Sequence, residues 1–104
     1  MDATPLISTK RVFEDGLIVQ VVIWWVPSPV PPATHHFKYS LFCGRRGIRI
    51  VGFDNERGKG DHHHHHHHHH HHRRGIESAY TFTTLDRLLQ DFATAVEQAT
   101  GRRI

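Results

Sequence analysis

Apolar runs in the first quarter of the chain predict a pair of β-strands. Leu6 to Phe13 and Leu17 to Val26 are rich in β-branched and aromatic residues, which favour strands. The runs flank Glu14-Asp15-Gly16, and an Asp-Gly pair in this setting is typical of a hairpin turn because glycine readily adopts a positive φ. Both faces of the second run are mostly apolar. We therefore expect a central strand covered on both sides, with a partner chain as a candidate for one cover.

A proline-rich connector and a second hairpin follow. Pro27 to Pro32 holds four prolines in six residues, which cannot join a strand ladder and favour an extended connector. Phe37 to Cys43 alternates apolar with polar positions, Gly44-Arg45-Arg46-Gly47 predicts a turn, and Ile48 to Phe53 returns the chain. The connector leaves open whether the two hairpins pair side by side.

The last quarter of the chain has the pattern of an amphipathic helix. Thr83 and Asp86 have the spacing of a capping box, and Gly101 is well placed to end the helix. We predict the α+β class: an antiparallel sheet of four to five strands, built from two hairpins with Tyr80 to Phe82 as the candidate fifth strand, and one C-terminal helix packed on a face. The apolar residues that recur on one side of this helix are Leu85, Leu88, Leu89, Phe92 and Val96.

Composition indicates one small domain, 1–104, without disulfides. The single cysteine, Cys43, excludes a disulfide framework and a Cys-rich zinc module. The ten-residue run Leu17 to Val26 is far shorter than the ~20 residues that a membrane helix needs, and Met1 to Pro5 lacks the features of a signal peptide. We expect a cytoplasmic protein with no membrane partner. Its net charge of +3 favours a polyanionic partner.

The densest cluster of functional groups lies within Asp54 to Ala79, a segment without apolar periodicity that we expect to be a loop. Carboxylates with histidine bind a divalent metal or transfer a proton, and cations hold a phosphate, so together they suit the cleavage of a phosphodiester. The alternative is a solvated turn, because Asp-Asn and Gly-x-Gly are ordinary turn sequences. The members of the cluster are Asp54, Glu56, Arg57, Lys59, Asp61 and His62.

The segment Phe53-Asp54-Asn55-Glu56-Arg57-Gly58-Lys59-Gly60-Asp61-His62 resembles the signature of the TumE-type toxins of bacterial toxin–antitoxin pairs. The resemblance extends to Tyr80-Thr81-Phe82 and Leu88-Leu89-Gln90-Asp91-Phe92, and it spans Phe37 to Val96. It implies a toxin component that acts on RNA as an endoribonuclease and is held inactive by a helix-turn-helix antitoxin. The chain departs from the family pattern in having eleven consecutive histidines where the family has two or three.

The resemblance also implies roles for individual residues. His62 or His64 would act as general base on a ribose 2′-hydroxyl or protonate the leaving oxygen, with Asp61 orienting a histidine. Lys59 and Arg57 would stabilise the negative charge that builds on the phosphate. The alternative is a metal-dependent mechanism with Asp54, Asp61 and His62 as ligands. The catalytic candidates are Asp54, Glu56, Lys59, Asp61, His62 and His64.

The histidine run, His62 to His72, is expected to form a flexible loop. Three origins remain open: an engineered tag, a natural expansion with incidental metal affinity, and a natural segment used for metal binding or as a pH-sensitive polycation. Clustered imidazoles bind Ni²⁺, Zn²⁺ or Cu²⁺, whereas Mg²⁺ is the candidate cofactor if the carboxylates are the ligands. The candidate metal ligands within the run are His62, His64, His66 and His68.

Arginines near the signature are candidates for contact with RNA, although a solvated hairpin tip would also explain some of them. Trp24 and Trp25 point to opposite faces of their strand, so one is core and the other is available to stack a base or to fill a partner's pocket. The alternative function is a non-catalytic binding module: a homodimer that presents a metal-binding polyhistidine loop. The candidate RNA-binding residues are Arg45, Arg46, Arg49, Arg57, Arg73 and Arg74.

Overall fold

A computed structural model describes residues 2–56, 60–65 and 76–104, which form one antiparallel sheet and one helix. Within these ranges the sheet has six strands, and their spatial order is the order of the chain. The predicted α+β class, with an antiparallel sheet and a C-terminal helix, is confirmed. The elements are β1 Thr4–Val12, β2 Ile18–Trp25, β3 Phe37–Arg45, β4 Ile48–Glu56, β5 Gly60–His65, β6 Ile76–Ala79 and α1 Leu85–Thr100.

Both predicted hairpin turns are present, and each contains a glycine with positive φ. Gly16, between β1 and β2, has a φ of 86°. Arg46 and Gly47, between β3 and β4, have φ values of 55° and 77°, and two successive positive values are what a type I′ hairpin turn requires. The Asp-Gly pair therefore forms the turn between β1 and β2, and the Arg-Gly pair forms the turn between β3 and β4.

The two hairpins pair side by side, which settles the arrangement that the proline connector left open. β2 and β3 are antiparallel, with Trp25 opposite Phe37. The pairing continues beyond the strands, because the Val26 N–H donates to the His36 carbonyl oxygen at 2.8 Å. The connector thus leaves and re-enters the sheet at adjacent positions.

The structure differs from the predicted loop over residues 54–79, because β5 and β6 lie there. His62 to His65 belong to β5 and not to the predicted loop 62–72, whose remaining residues lie outside the described ranges. β6 ends at Ala79, just before the strand predicted at Tyr80 to Phe82. β5 reads Gly-Asp-His-His-His-His, so it has no alternation of apolar residues that would reveal a strand. Its conformation comes from pairing with β4.

Helix α1 begins one residue later than predicted and ends where predicted. Its N-cap is Thr84, whose side-chain oxygen accepts the N–H of Arg87 at 3.1 Å. The predicted cap at Thr83 is wrong, because Thr84 is the extended residue directly before the helix. Gly101 ends the helix with a φ of 77°, and its N–H donates to the Glu97 carbonyl oxygen.

The core lies between α1 and one face of the sheet. From the helix, Leu88, Phe92 and Val96 are buried, as the predicted apolar stripe requires. They pack with one set of alternate strand residues, because side chains alternate between the two faces of a strand. The buried residues of β2, β3 and β4 in this cluster include Val19, Ile23, Tyr39, Leu41, Cys43, Val51 and Phe53.

The face of the sheet turned away from α1 is the open face. There Val22 is half-buried and the side chain of Trp24 is exposed by 37%. In the described ranges, the expectation that β2 is covered on both sides is therefore met on one side only. Trp24 is the tryptophan available for a partner.

Candidate functional site

Antiparallel pairing of β4 with β5 brings one carboxylate and two imidazoles together on the open face. Asp54 lies opposite His62, and His64 follows two residues later on the same face. Asp54 Oδ1 lies 2.7 Å from His62 Nε2, and Asp54 Oδ2 lies 3.4 Å from His64 Nε2. These three residues form the Asp54 cluster. Strand register alone therefore assembles three of the predicted catalytic residues.

A backbone hydrogen bond fixes the orientation of His62. Its Nδ1 lies 2.9 Å from the carbonyl oxygen of Gly60, and since a carbonyl only accepts, Nδ1 carries the hydrogen. In the neutral ring, the lone pair of Nε2 then faces the Asp54 carboxylate. Two electron-rich atoms at 2.7 Å repel each other unless a cation joins them.

Arg49 joins the Asp54 cluster from the neighbouring hairpin. Its Nη2 lies 2.9 Å from His64 Nδ1, and since a guanidinium only donates, neutral His64 carries its hydrogen on Nε2, towards Asp54. Arg49 Nη1 lies 3.9 Å from Asp54 Oδ2. The Arg49 side chain passes over Gly52, where an added Cβ would lie 2.8 Å from Arg49 Cδ. Gly52 thus leaves the space through which Arg49 reaches the cluster.

The Asp54 cluster has the composition and spacing of a metal site. One ligand atom from each of Asp54, His62 and His64 lies within 4.8 Å of the others. His62 also makes the outer hydrogen bond that is typical of metal-binding imidazoles, whose second nitrogen donates to a carbonyl or carboxylate. The three residues could therefore hold a metal ion. They combine Asp54 and His62, predicted as ligands in the metal-dependent mechanism, with His64, predicted as a ligand within the histidine run.

Asp61 faces the opposite side of the sheet and is not part of the Asp54 cluster. It directly precedes His62 in β5, and neighbouring residues of a strand point to opposite faces. Its Oδ1 accepts from the Tyr39 hydroxyl at 2.5 Å and lies 2.9 Å from His35 Nε2. The structure therefore separates Asp61 from the histidines that it was predicted to orient and from Asp54 and His62, its predicted partners as metal ligands.

Asp61 instead orients His35, which lies between the proline connector and β3. The Phe37 N–H donates to His35 Nδ1, so Nε2 carries the hydrogen that is donated to Asp61. The His35 and Phe82 ring centroids are 4.1 Å apart. Burial, followed by the Asp61 carboxylate, raises the pKa of the Tyr39 phenol, which therefore keeps its hydrogen. His35, Tyr39 and Asp61 form the Asp61 clamp, which fastens the end of the proline connector to β5.

The remaining candidates lie away from the Asp54 cluster or outside the described residues. Arg45 donates to Asp15 at 2.9 Å, and Arg46 is exposed in the turn, so Arg49 is the hairpin arginine that meets the cluster. Glu56 is the last residue of β4, and it pairs with Gly60, the first residue of β5. The candidates outside the described ranges are Arg57, Lys59, His66, His68, Arg73 and Arg74.

Family membership is decided by a match over nearly the whole chain. The sequence model of one family, described as Toxin TumE, matches residues 2–100. The chain belongs to the TumE toxin family. The match runs from β1 to the end of α1, well beyond the motifs between Phe37 and Val96. No curated protein and no solved structure matches the chain.

Membership of the TumE family makes this protein a toxin and implies an antitoxin partner. The fold gives the TumE signature two separate roles, one on each face of the sheet. Asp54 and His62 lie on the open face, in the candidate site. Asn55 and Asp61 lie on the helix side, where Asn55 accepts the Tyr39 N–H and donates to the Phe37 carbonyl oxygen. Across the parts of the chain that are described, no helix is long and apolar enough to cross a membrane.

Replacing Gly52 with Ala should weaken this TumE-family toxin by about tenfold, a change typical of altering a partner that supports a reactive site. The new Cβ would collide with the Arg49 side chain and push it away from His64 and Asp54. Growth arrest over a range of inducer concentrations measures the loss. The control is Arg49→Ala, in which Gly52→Ala should have little further effect. Equal further losses in both backgrounds would show that Gly52 acts independently of Arg49.

Proposed function

We propose that this toxin is an endoribonuclease whose reaction centre is the Asp54 cluster. The observation that carries the proposal is the convergence of His62 and His64 on the Asp54 carboxylate. Arg49 adds a guanidinium at the edge of the cluster, where it can contact a phosphate oxygen. Imidazole, carboxylate and guanidinium are the groups that phosphodiester cleavage requires.

In the preferred mechanism, Asp54, His62 and His64 would hold a divalent metal ion. His64 would take part once Arg49 has moved from its Nδ1 and the ring hydrogen has shifted from Nε2 to Nδ1. Two imidazoles and one carboxylate suit Zn²⁺, Ni²⁺ or Cu²⁺ better than Mg²⁺, which prefers oxygen ligands. The ion supplies Lewis-acid stabilisation of the charge that develops on the phosphate. Gly60 keeps the hydrogen of His62 on Nδ1 and leaves Nε2 available as a ligand. Arg49 orients the phosphate of the substrate.

A mechanism without metal is the second candidate, and the 2.7 Å contact between Asp54 Oδ1 and His62 Nε2 favours it. At this distance the Asp54 carboxylate can hold the His62 ring in a fixed orientation. One histidine would take the proton of a ribose 2′-hydroxyl, whose oxygen attacks phosphorus, and the other would give a proton to the leaving 5′-oxygen. Both mechanisms use the same three residues, Asp54, His62 and His64, to cleave RNA.

Removal of metal by a chelator distinguishes the two mechanisms once the histidines from His66 to His72 have been replaced. A variant with asparagine at every position from His66 to His72 keeps His62 and His64, so metal bound to the rest of the run no longer confuses the result. After dialysis against a chelator, RNA cleavage should fall ~100-fold or more and should return on addition of Zn²⁺. Cleavage that survives chelation would support the mechanism without metal.

The complete absence of RNA cleavage in the purified toxin would contradict both mechanisms. In that case, binding of Zn²⁺ that depends on His62 and His64 would favour the non-catalytic binding module. Growth arrest in the same strain provides the control, because it shows that the toxin being assayed is active in cells.

We propose three finer features of the setting. The antitoxin is a helix-turn-helix protein, as the resemblance to the family implies. The toxin acts in the cytoplasm, where its RNA substrate is found. It forms a homodimer through β1, an edge strand of the described sheet that has exposed Leu6 and Val12 side chains. Co-expression with the antitoxin and sedimentation of the purified toxin test the first and last of these.

A further inference from the structure

The open face carries aromatic and basic side chains next to the Asp54 cluster. On β3, Ser40 lies directly opposite Asp54, and Phe42 lies opposite Gly52. Lys38 is the next residue on this face in the other direction, because alternate residues share a face. On β2, Trp24 lies opposite Lys38. From strand spacing and rise, Phe42 and Lys38 are each ~8 Å from Asp54 along the sheet.

The two aromatic rings are placed to receive flat ligands. Trp24 is exposed by 37% although it stands on an inner strand of the sheet. The Phe42 ring extends over Gly44, where an added Cβ would lie 2.5 Å from Phe42 Cζ. Gly44 therefore lets the ring lie along the strand. Aromatic rings on the surface of a sheet stack the bases of single-stranded RNA in several nucleic-acid-binding folds.

The charge of the open face of β1, β2 and β3 matches a phosphate backbone. The charged residues on this part of the face are Lys10 and Lys38, and Arg49 lies beside them on β4. The acids at positions of the open face, Asp54, Glu56 and Glu77, belong to β4 and β6. Polar residues lie next to the rings: Ser40 follows Lys38 on this face of β3, and Gln20 lies opposite Phe42. The core of a protein–protein interface is depleted of charged residues, whereas single-stranded RNA is bound by cations interleaved with aromatic rings.

We propose that the open face of β2 and β3 binds single-stranded RNA, with bases stacked on Phe42 and Trp24 and the backbone held by Lys38 and Arg49. The inference rests on the proposed ribonuclease function and adds the substrate form: an unpaired strand laid across the sheet next to the Asp54 cluster. Base stacking tolerates different sequences, so this surface selects unpaired RNA and does not by itself select a sequence.

Binding is tested separately from cleavage in Asp54→Asn, which keeps the open face. The probe is a fluorescein-labelled, unstructured oligoribonucleotide, followed by anisotropy. Phe42→Leu and Trp24→Leu keep an apolar side chain but remove the ring, and each should weaken binding by ~10-fold. Phe42→Tyr and Trp24→Phe keep a ring and should bind within about twofold. The matched control is Ile48→Ala, which truncates an apolar side chain, 54% exposed, in the turn region of β4.

The results separate this inference from the proposed function. If the Leu variants and the ring-retaining variants weaken binding of the oligoribonucleotide equally, or if neither weakens it, the proposed RNA-binding surface is contradicted. Loss of self-association or of antitoxin binding, with RNA binding unchanged, would also overturn it and would assign the open face to a protein. If the wild type binds the probe through Phe42 and Trp24 but cleaves no RNA, the surface stands and the ribonuclease proposal fails. Duplex RNA of the same sequence should bind at least ~10-fold more weakly.

Discussion

Asp54→Asn is expected to abolish growth arrest and to lower RNA cleavage by ~100-fold or more, as is usual when a metal ligand or a charged group of a reactive site is lost. The asparagine has almost the same shape, so the fold should be preserved. The negative charge that joins His62 to His64 is lost, and with it the strongest ligand for a cation between them. The expected loss is the same for both mechanisms, because each uses this carboxylate.

The measurement is growth after induction without antitoxin, followed by cleavage of total RNA by the purified proteins. Asp86→Asn is the matched control, because Asp86 is an exposed carboxylate in the first turn of α1, away from the sheet. It should arrest growth as the wild type does. Full arrest by Asp54→Asn at equal expression would remove the Asp54 cluster from the toxic activity.

Asp61→Ala is expected to lower the free energy of unfolding by about 2–4 kcal/mol, because hydrogen bonds to charged groups contribute roughly 1.5–3 kcal/mol each. The change removes the shared acceptor of Tyr39 and His35 and leaves both donors in largely buried surroundings. It also releases the end of the proline connector from β5. The expected defect is therefore one of stability.

Urea unfolding of Asp61→Ala, Tyr39→Phe and the double variant measures this coupling. The double variant has neither the Asp61 carboxylate nor the hydroxyl that it accepts from. Its loss of unfolding free energy should therefore be smaller than the sum of the losses in the two single variants. A chelator should be present, since metal bound to the native state would add stability of its own. If Asp61→Ala unfolds like the wild type but fails to arrest growth, Asp61 has a direct role in the activity.

The first four strands and the helix were predictable because local signals mark them. Glycines with positive φ mark the turns at Gly16 and Gly47, and the apolar stripe of α1 has the helical period. β5 was not predictable, because a run of identical histidines has no alternation between apolar and polar residues. Its structure depends on its register with β4, which is a tertiary property.

The residues of the candidate site were predictable from the signature, but their grouping was not. Treated as a loop, the signature allowed Asp61 and His62 to act together, whereas the strand turns them to opposite faces. The partner of Asp61 is His35, which lies 26 residues earlier, between the proline connector and β3. No local pattern encodes such a contact, because it depends on how the hairpins pair.

The pairing of β5 with β6 makes the total length of the histidine run nearly neutral for the fold. His65 lies opposite Ile76, so the chain leaves the described sheet after His65 and returns to it at the adjacent position, Ile76. The entropy of closing such a connection grows slowly, by only ~0.6 kcal/mol for each doubling of its length. The positions of His62 and His64 are fixed by the pairing of β5 with β4, which starts at the Asp61 end of the histidine run. Histidines can thus be gained or lost at the far end by repeat slippage without moving the two that meet Asp54, and foreign sequence placed there should be tolerated for the same reason.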